Sequence, residues 1–428
     1  MTGYLQVLRM NRNYRRLWYG QVVSQIGDWL DSVALFTLTL NLTGSGQAVG
    51  LLLLAEFLPG AAVGPIAGVI VDRLPRKLVL IASDLGRALL VLLLLLVHGP
   101  EDLWLLYTAV AAKVSLTAFF EPARSAILPS LCRPDELVAA NAISGATWSA
   151  MLALGAALGG IVAGTLGVRT AFLLDATSFV LSAALIATVR VPQPHAASAT
   201  VTEPLAPQPS SGPRGALMEL REGLHYVLTR HEIGWLTFSK AIWSLGGGVL
   251  LLLTLYGREV APLGRDGAIS IGLLYAARGV GTGIGPFLAL RLGGSGSRFL
   301  RRSVAVAFFI SAAGYLALSF VASLPLAALC VLFAHIGGSI QWVFSTTLLQ
   351  ARVPNRLLGR VFATEYAALT LTTALSAYLT GVARDLGATP AALALALGGT
   401  FAAAGTLMLV TLWPEPVHAE VAPVTSDE

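Results

Sequence analysis

Apolar residues fill twelve stretches of the chain, each of about 20 residues, and short polar connections separate them. An α-helix rises about 1.5 Å per residue, so each stretch can cross the hydrocarbon core of a bilayer, which is roughly 30 Å thick. The predicted fold is an all-α integral membrane protein with twelve transmembrane helices in two six-helix bundles. The pattern places these helices near 16–40, 48–70, 78–97, 103–123, 137–164 and 170–189, then near 235–256, 268–290, 303–321, 325–347, 358–381 and 389–413.

A polar segment separates the two sets of helices. Its first part is rich in Pro, Ala, Ser and Thr, and holds too little apolar surface to pack. Its later part places Leu217, Leu220 and Leu224 at helical spacing, which predicts an amphipathic helix on the membrane surface. The predicted domains are an N-terminal bundle at 1–190, a cytoplasmic linker with this helix at 191–230, a C-terminal bundle at 231–414 and a cytoplasmic tail at 415–428.

Composition and the distribution of charge support a membrane protein. Apolar residues make up 55% of the chain and charged residues 12%, whereas a soluble domain carries about 25% charged residues. Twenty Arg and Lys residues lie on alternate connections between helices, and the remaining connections carry Arg169, Arg258, Arg265 and Arg384. The positive-inside rule therefore predicts that both termini are cytoplasmic, in a multi-pass protein of the bacterial inner membrane. The net charge of +5 follows from this topology and does not indicate a nucleic-acid partner.

The sequence contains no pattern typical of an enzyme. The glycine-rich run from Gly279 to Pro286 lies within a predicted membrane helix and follows no strand, so it is not a nucleotide-binding loop. No Walker sequence, Ser-His-Asp grouping or Cys/His metal cluster stands out. We therefore expect a protein without enzymatic activity, metal or cofactor.

A motif between the second and third predicted helices carries a family resemblance. The stretch GVIVDRLPRK matches the pattern G-x-x-x-D-R-x-x-R-K and resembles the gate motif of the major facilitator superfamily of transporters. The glycine lets helices approach closely, and the charged residues supply ion pairs that can break. The resemblance, which the layout of six plus six helices extends over most of the chain, assigns a cytoplasmic gate to Gly68, Asp72, Arg73, Arg76 and Lys77.

Longer stretches resemble one subgroup of that superfamily. NYRRLWYGQVVSQIGDWLDSVALFTLTLNLTGS, FFEPARSAILPSL and LREGLHYVLTRH are similar to drug and siderophore exporters of the enterobactin-exporter and macrolide-efflux type. The antiporter pattern of helix 5 is incomplete, since Ala156 stands where a proline is expected. The resemblance implies a secondary transporter that works as a monomer in the lipid bilayer, with a small molecule and protons as its partners.

Four of the ionisable residues inside the predicted helices of the first bundle are candidates for lining a cavity. A charged group at the bilayer centre costs at least about 2.5 kcal/mol, so each of them needs a reason. Asp28 and Asp31, three residues apart on helix 1, and Lys113 on helix 4 can line a cavity, and Glu56 lies at a depth similar to Asp31. We expect Asp28 to take up and release a proton there. There are alternatives for each of these residues. Asp28 could form a structural pair with Lys113 or cap a local helix break, and Asp31 and Glu56 could meet water at the outer mouth.

The gate motif has a predicted partner at the cytoplasmic end of helix 4. There the sequence Glu121-Pro122-Ala123-Arg124 combines an acid, a helix-ending proline and a base. The family resemblance implies that Arg73 pairs with Glu121 as a latch, with Arg124 beside it. Asp72 would face the N-terminus of helix 11, where the helix dipole favours an anion. The alternative is that all are ordinary charges beside the membrane.

Further polar residues lie within the membrane helices. Asp84 and Arg87 are expected to form a local pair, because residues three apart face each other on a helix. In the second bundle Lys240 and Glu365 lie at similar depth and are expected to pair. The same bundle offers further candidates for a cavity, although a lone intramembrane histidine also suits a hydrogen-bonded core: Arg278, His335, Gln341 and Trp342.

These features favour a proton-coupled exporter of amphipathic or cationic small molecules, such as drugs or siderophore-like compounds, that works by alternating access. Two alternatives stay open. One is a lipid or lysophospholipid flippase of the same fold, which would need a lateral opening to lipid. The other is a membrane sensor that transports nothing.

Overall fold

The apolar stretches are helical because lipid offers no hydrogen-bond partners, so a spanning segment must satisfy its backbone groups internally. The computed structural model describes residues 4–191, 213–294 and 296–413, and within these ranges it leaves out some side chains, among them those of Gly68 and Asp72. The first half comprises α1 (Tyr4–Met10), α2 (Arg12–Thr43), α3 (Gly46–Arg73), α4 (Arg76–Leu93), α5 (Leu103–Leu131), α6 (Pro134–Thr165) and α7 (Val168–Ala187).

The second half begins with the amphipathic helix predicted from the sequence. It comprises α8 (Pro213–Thr229), α9 (His231–Trp243), α10 (Val249–Leu255), α11 (Ala268–Gly293), α12 (Ser297–Leu318), α13 (Leu324–Arg352), α14 (Asn355–Asp385) and α15 (Pro390–Leu412). Helix α8 lies against α14 and leads into α9. The greater part of the predicted linker and the predicted tail at 415–428 lie outside the described residues.

Twelve of these segments match the predicted spans. Within the described ranges, eleven helical stretches are long and apolar enough to cross a membrane, and α9 and α10 together form one of them. The twelfth is α2, which has 32 residues but is less apolar because it carries Asp28 and Asp31 in its middle. The all-helical fold and its membrane-spanning character are therefore confirmed.

One predicted span is broken rather than continuous. A tight 3₁₀ turn at Ser244–Gly246 separates α9 from α10, where the sequence predicted a single helix at 235–256. The glycines here allow close packing against α14: a Cβ added to Gly247 would lie 2.6 Å from the carbonyl oxygen of Thr373. Close contact with α14 thus takes precedence over a regular helix at this point.

The two halves meet through two pairs of helices. Helix α3 packs along α14, and α6 packs along α11. Within the first half α2 lies between α6 and α7, and α5 contacts both α3 and α4. We call the end of the molecule with Arg73, Arg76 and Lys77 the basic end, and the opposite one, with Ser45 and Asp385, the far end. The sequence predicts that the basic end faces the cytoplasm.

The halves touch at the far end and separate toward the basic end. A Cβ added to Gly46 of α3 would lie 2.8 Å from the Cβ of Arg384, and one added to Gly160 of α6 would lie 2.7 Å from the Cα of Gly272. Nearer the basic end, a Cβ on Gly64 or Gly145 would have no described atom within 4 Å. The space between the halves therefore opens at the basic end and is closed at the far end.

Polar contacts hold the far end closed. The Asp385 carboxylate, at the C-terminus of α14, accepts hydrogen bonds from Ser45 Oγ at 2.6 Å, from the Gly46 N–H at 2.7 Å and from the Gln47 N–H at 3.0 Å. These N–H groups begin α3 and have no partner within their own helix. An acid of the second half thus satisfies the N-terminus of a helix in the first, where the helix dipole also favours an anion.

We predict that Asp385→Ala loosens this end, because removal of a side chain that caps a helix N-terminus costs about 1 kcal/mol. Spin labels at the exposed Leu166 and Leu386, one on each half, should report longer and broader distances in the variant, in a background with the native cysteines replaced. Glu101→Ala removes an exposed acid from the first half and serves as the matched control. Unchanged distances in Asp385→Ala would contradict this role.

Candidate functional site

Charged residues of four helices gather in the interior of the first half. Lys113 Nζ of α5 contacts the Asp31 carboxylate of α2, and Arg87 contacts the Asp84 carboxylate within α4. All four side chains are buried. Each pair keeps its two charges out of contact with lipid, and neutralises them where an isolated charge would be most costly.

Asp28 lies between these two pairs. Its carboxylate is 3.7 Å from Lys113 Nζ and 3.7 Å from Arg87 Nη1, and 36% of its side chain is exposed. Helix α2 is packed against α6 and α7 of its own half and also meets α10 and α11 of the other. The exposed part of Asp28 therefore opens on the space between the halves. Asp28 is the most exposed acid of this cluster, and both cations are within reach of it.

Aromatic rings fix one of the two cations. The guanidinium carbon of Arg87 lies 4.5 Å from the centroid of the Phe120 ring and 4.3 Å from that of Phe179. A cation between two ring faces is stabilised electrostatically and has little freedom to swing away. Arg87 therefore stays in place when Asp28 changes its charge.

Asp175 is a member of the cluster that the sequence patterns did not predict. It is fully buried on α7, and its Oδ1 accepts a hydrogen bond from Ser178 Oγ at 3.3 Å. Its Oδ2 has no hydrogen-bond partner in the part of the chain that the structure describes. The missed signal was an acid in the middle of the apolar stretch at 170–189, which the cost of intramembrane charge alone should have marked.

The cluster holds more acids than bases. Asp28, Asp31, Asp84 and Asp175 face Arg87 and Lys113, so the six groups are neutral when two of the acids are protonated. Asp31 and Asp84 already occupy the two cations. Asp28 and Asp175 therefore have no cation of their own in the cluster.

Glu56 lies at the edge of this cluster. Within the described part of the chain it has no ion pair and no side-chain hydrogen bond, although it is close enough to Lys113 and Asp31 for their charges to interact. It also acts electrostatically on Tyr275 of α11, in the other half. Glu56 therefore belongs to the boundary between the halves.

The expected latch at the basic end is not formed among the described residues. Arg73 is exposed, and the Glu121 carboxylate binds Arg124 of its own helix at 2.8 Å. A partner one turn away on the same helix is the nearer choice for Glu121. The side chains of Gly68 and Asp72 lie outside the described set, so their assigned roles stay predictions. Arg360 at the start of α14, near which Asp72 was expected, pairs with Glu222 of α8 at 2.8 Å.

The other two basic residues of the motif bind backbone carbonyls of neighbouring helices, and Lys77 binds them at a helix end. Arg76 donates to the Ala126 carbonyl of α5 at 2.6 Å. Lys77 Nζ donates to the carbonyls of Ala187 at 2.7 Å and Val189 at 2.8 Å, at the C-terminus of α7. Cations at helix C-termini complement the free carbonyls and the dipole. These residues tie the start of α4 to two neighbouring helices of the same half.

In the second half, the expected pair of Lys240 and Glu365 is present. Lys240 Nζ lies 2.9 Å from Glu365 Oε2, donates to Thr346 Oγ1 at 2.7 Å and lies 4.7 Å from the centroid of the Trp342 ring. Trp342 is partly exposed beside this pair, as a residue that lines a cavity would be. The pair is buried and neutral, and links α9 to α14.

Two further candidates of the second half lie in its core. His335 Nε2 and Tyr315 Oη are 2.9 Å apart, and the imidazole ring packs on Trp243, as in the alternative of a hydrogen-bonded core histidine. Gln341 is fully buried and donates to Ser239 Oγ at 2.9 Å. This corrects the expectation that Gln341 lines the cavity: its amide satisfies a polar group of α9 inside the bundle.

Comparisons with known proteins agree with this architecture. The sequence model of the Major Facilitator Superfamily matches residues 17–364. Macrolide efflux protein A of Streptococcus pyogenes is 27% identical over 179 residues, which cover 41% of this chain and 44% of that protein. The candidate bacilysin exporter BacE of Bacillus amyloliquefaciens is 24% identical over 393 residues, 92% of this chain and 94% of that protein.

Other alignments are shorter, and one solved structure shows the shared fold. The chain spans about half the length of some curated relatives that it matches: 43% and 56% for two MFS-type transporters of Bacillus subtilis. A bacterial homologue of the human lysosomal transporter Spinster, in an inward-facing and unoccupied conformation, has a TM-score of 0.63 at 17% identity, over 94% of both chains.

We predict that Lys113→Met lowers the free energy of unfolding by about 3–5 kcal/mol, because it leaves the Asp31 carboxylate buried without a cation. Asp31→Asn combined with Lys113→Met should recover most of this loss, since the pair is then replaced by uncharged groups. Unfolding in mixed detergent micelles measures both. A double variant as unstable as Lys113→Met alone would show that the pair does not carry this energy.

Proposed function

Because the chain belongs to the Major Facilitator Superfamily, we propose that this transporter exports amphipathic or cationic small molecules in exchange for protons. The observation that carries the proposal is the position of Asp28. It lies 3.7 Å from each of two cations that already have acid partners, and it opens on the space between the halves. Of the acids in the cluster, it is the one that both a proton and a substrate can reach.

The two ion pairs keep the free-energy cost of this exchange small. When Asp28 is ionised, it shares Lys113 and Arg87 with Asp31 and Asp84. When it is protonated or bound to a cation, both cations keep their own acids. Neither state leaves an uncompensated cation in the membrane, a situation that costs several kcal/mol. Proton and substrate therefore compete for one carboxylate, as exchange requires.

Access to Asp28 would alternate between the two ends. The far end is closed by Asp385 and by the close contacts of α3 with α14 and α6 with α11, and the basic end is open. With the basic end in the cytoplasm of a bacterial inner membrane, as the positive-inside rule predicts, this geometry would receive a substrate from inside. Rocking of the halves would then expose Asp28 outside, where a proton displaces the substrate. The efflux role named for macrolide efflux protein A supports this direction.

A flippase is the second candidate, and the gaps at the basic end favour it. A Cβ added to Gly64 of α3 or to Gly145 of α6 would have no described atom within 4 Å, so there is open space beside both helices near the basic end. A lysophospholipid headgroup could enter there. Passive flipping would not require protons, and this difference separates the two functions.

The test uses the purified protein in liposomes that contain a pH-sensitive dye, with ethidium, tetraphenylphosphonium and lysophosphatidylcholine as probes. We expect at least one cationic probe to drive proton movement. Asp28→Asn should reduce this flux at least about tenfold, because an amide does not titrate. Glu101→Gln, an exposed acid far from the cavity, should keep the wild-type rate.

The other outcomes each exclude one function. Continued proton-coupled transport by a folded Asp28→Asn variant would mean that Asp28 is not the coupling group. Lysophosphatidylcholine movement without proton flux would indicate a flippase. No movement of any probe would favour a membrane sensor.

A further inference from the structure

Arg278 is an intramembrane cation that the proposed exchange does not use. It lies in the middle of α11, in the second half, and its Nε is buried. Among the described residues, its guanidinium has no acid within ion-pair distance, and its Nε has no hydrogen-bond partner. Lys240 of the same half, by contrast, is neutralised by Glu365. An unpaired cation at this depth costs at least about 2.5 kcal/mol, so its retention needs a reason.

The neighbours of Arg278 do not supply an anion. Tyr275 and Tyr315 are close enough for electrostatic interaction with it. The hydroxyl of Tyr275 donates to the Leu250 carbonyl at 3.0 Å, and that of Tyr315 is hydrogen-bonded to His335 at 2.9 Å. Both hydroxyls are thus engaged elsewhere, which leaves the guanidinium as a donor without an acceptor.

Arg278 lies at the same depth as Asp28, on the other side of the boundary between the halves. The Cβ of Trp29 packs on Gly155 of α6, and Gly279 of α11 packs on Ala153 of the same helix. Gly155 and Ala153 are two residues apart, which is about 3 Å along a helix. Asp28 precedes Trp29, and Arg278 precedes Gly279. Both residues therefore lie beside the same turn of α6, and so at the same depth in the membrane.

Glu56 and Tyr275 connect the two sides. Glu56 interacts electrostatically with Asp28 in its own half and with Tyr275 in the other, and Tyr275 also interacts with Arg278. Glu56 and Arg278 are nevertheless not paired with each other. The Tyr275 ring lies 6.0 Å from the Phe36 ring of α2, centroid to centroid, and the Arg278 side chain is partly exposed. The acids of the first half and Arg278 therefore lie on opposite sides of the boundary between the halves.

We propose that this space binds a zwitterion: Asp28 takes an ammonium group of the substrate, and Arg278 takes its carboxylate. The inference rests on the proposed function and narrows its substrate class, from amphipathic cations in general to amphipathic molecules with an amino-acid-like end. The guanidinium suits a carboxylate because its fork of N–H groups donates two parallel hydrogen bonds. A bound carboxylate would be the counter-ion of Arg278, for which the described residues provide no acid. The apolar body of the substrate would lie between the halves.

The experiment uses Nε-dansyl-L-lysine, which carries a free α-ammonium and α-carboxylate on an apolar fluorophore. Its methyl ester keeps only the ammonium, and its Nα-acetyl derivative keeps only the carboxylate. Dansyl fluorescence measures the affinity of each for the purified full-length protein in nanodiscs. We expect the zwitterion to bind about tenfold more tightly than its ester, the effect of one charge-assisted contact.

Variants assign each end of the zwitterion. Arg278→Gln should lower the affinity for the zwitterion about tenfold, to that of the ester, and Arg278→Lys should keep part of the preference. Asp28→Asn should weaken the binding of both the zwitterion and the ester, because both carry the ammonium group. Arg265→Gln removes an exposed arginine from a far-end loop and is the matched control that keeps the wild-type preference.

Several results would overturn the inference. Equal binding of zwitterion and ester by the wild type would do so, as would an equal loss of both in a folded Arg278→Gln variant. If lysophosphatidylethanolamine displaces the probe more strongly than the unlabelled zwitterion does, the anion that binds Arg278 is a lipid phosphate and not a carboxylate. If ethidium still drives protons while zwitterion and ester bind alike, the exporter stands and only its substrate class is wrong.

Discussion

The contact between Lys113 and Asp31 is the interaction on which the first half depends. Neither charge could remain in the apolar interior alone, since the transfer of an ion out of water costs far more than one hydrogen bond returns. Together they hold α2 against α5 and fix the face of α2 that carries Asp28. The Arg87–Asp84 pair completes the same side, held between two aromatic rings. In the proposed exchange, these two pairs would compensate the change of charge at Asp28.

The boundary between the halves follows a different principle. It is made of close backbone contacts at glycine, such as Gly160 with Gly272, and of a carboxylate on a helix N-terminus. Contacts of this kind contain little interlocked side-chain surface, so two rigid bundles can part along them without repacking their cores. The charged cluster of one half and the Lys240–Glu365 pair of the other lie within the bundles and can stay intact during such a movement.

Much of this architecture was predictable, because lipid imposes strong rules on sequence. Twelve apolar stretches gave twelve spans, and the spacing of Leu217, Leu220 and Leu224 gave α8. The pairs at Lys240 and at Arg87 followed from depth and from helical periodicity. Partners across helices were harder, since several acids lie at similar depth and the sequence does not show which face meets which. Gln341 was assigned to the wrong surface for that reason, and Glu121 had a nearer base than Arg73. Asp175 was overlooked although its place inside an apolar stretch was visible in the sequence.

The most exposed carboxylate of the cluster has a consequence for the energy source. In the proposed exchange, one Asp28 would carry one proton inward in each cycle. If a monovalent cation leaves in exchange, no net charge crosses the membrane, and only the pH difference drives export. If a neutral zwitterion leaves instead, one positive charge enters, and the membrane potential adds about 2.3 kcal/mol per 100 mV. The arginine across the cavity would thus decide whether voltage powers this protein.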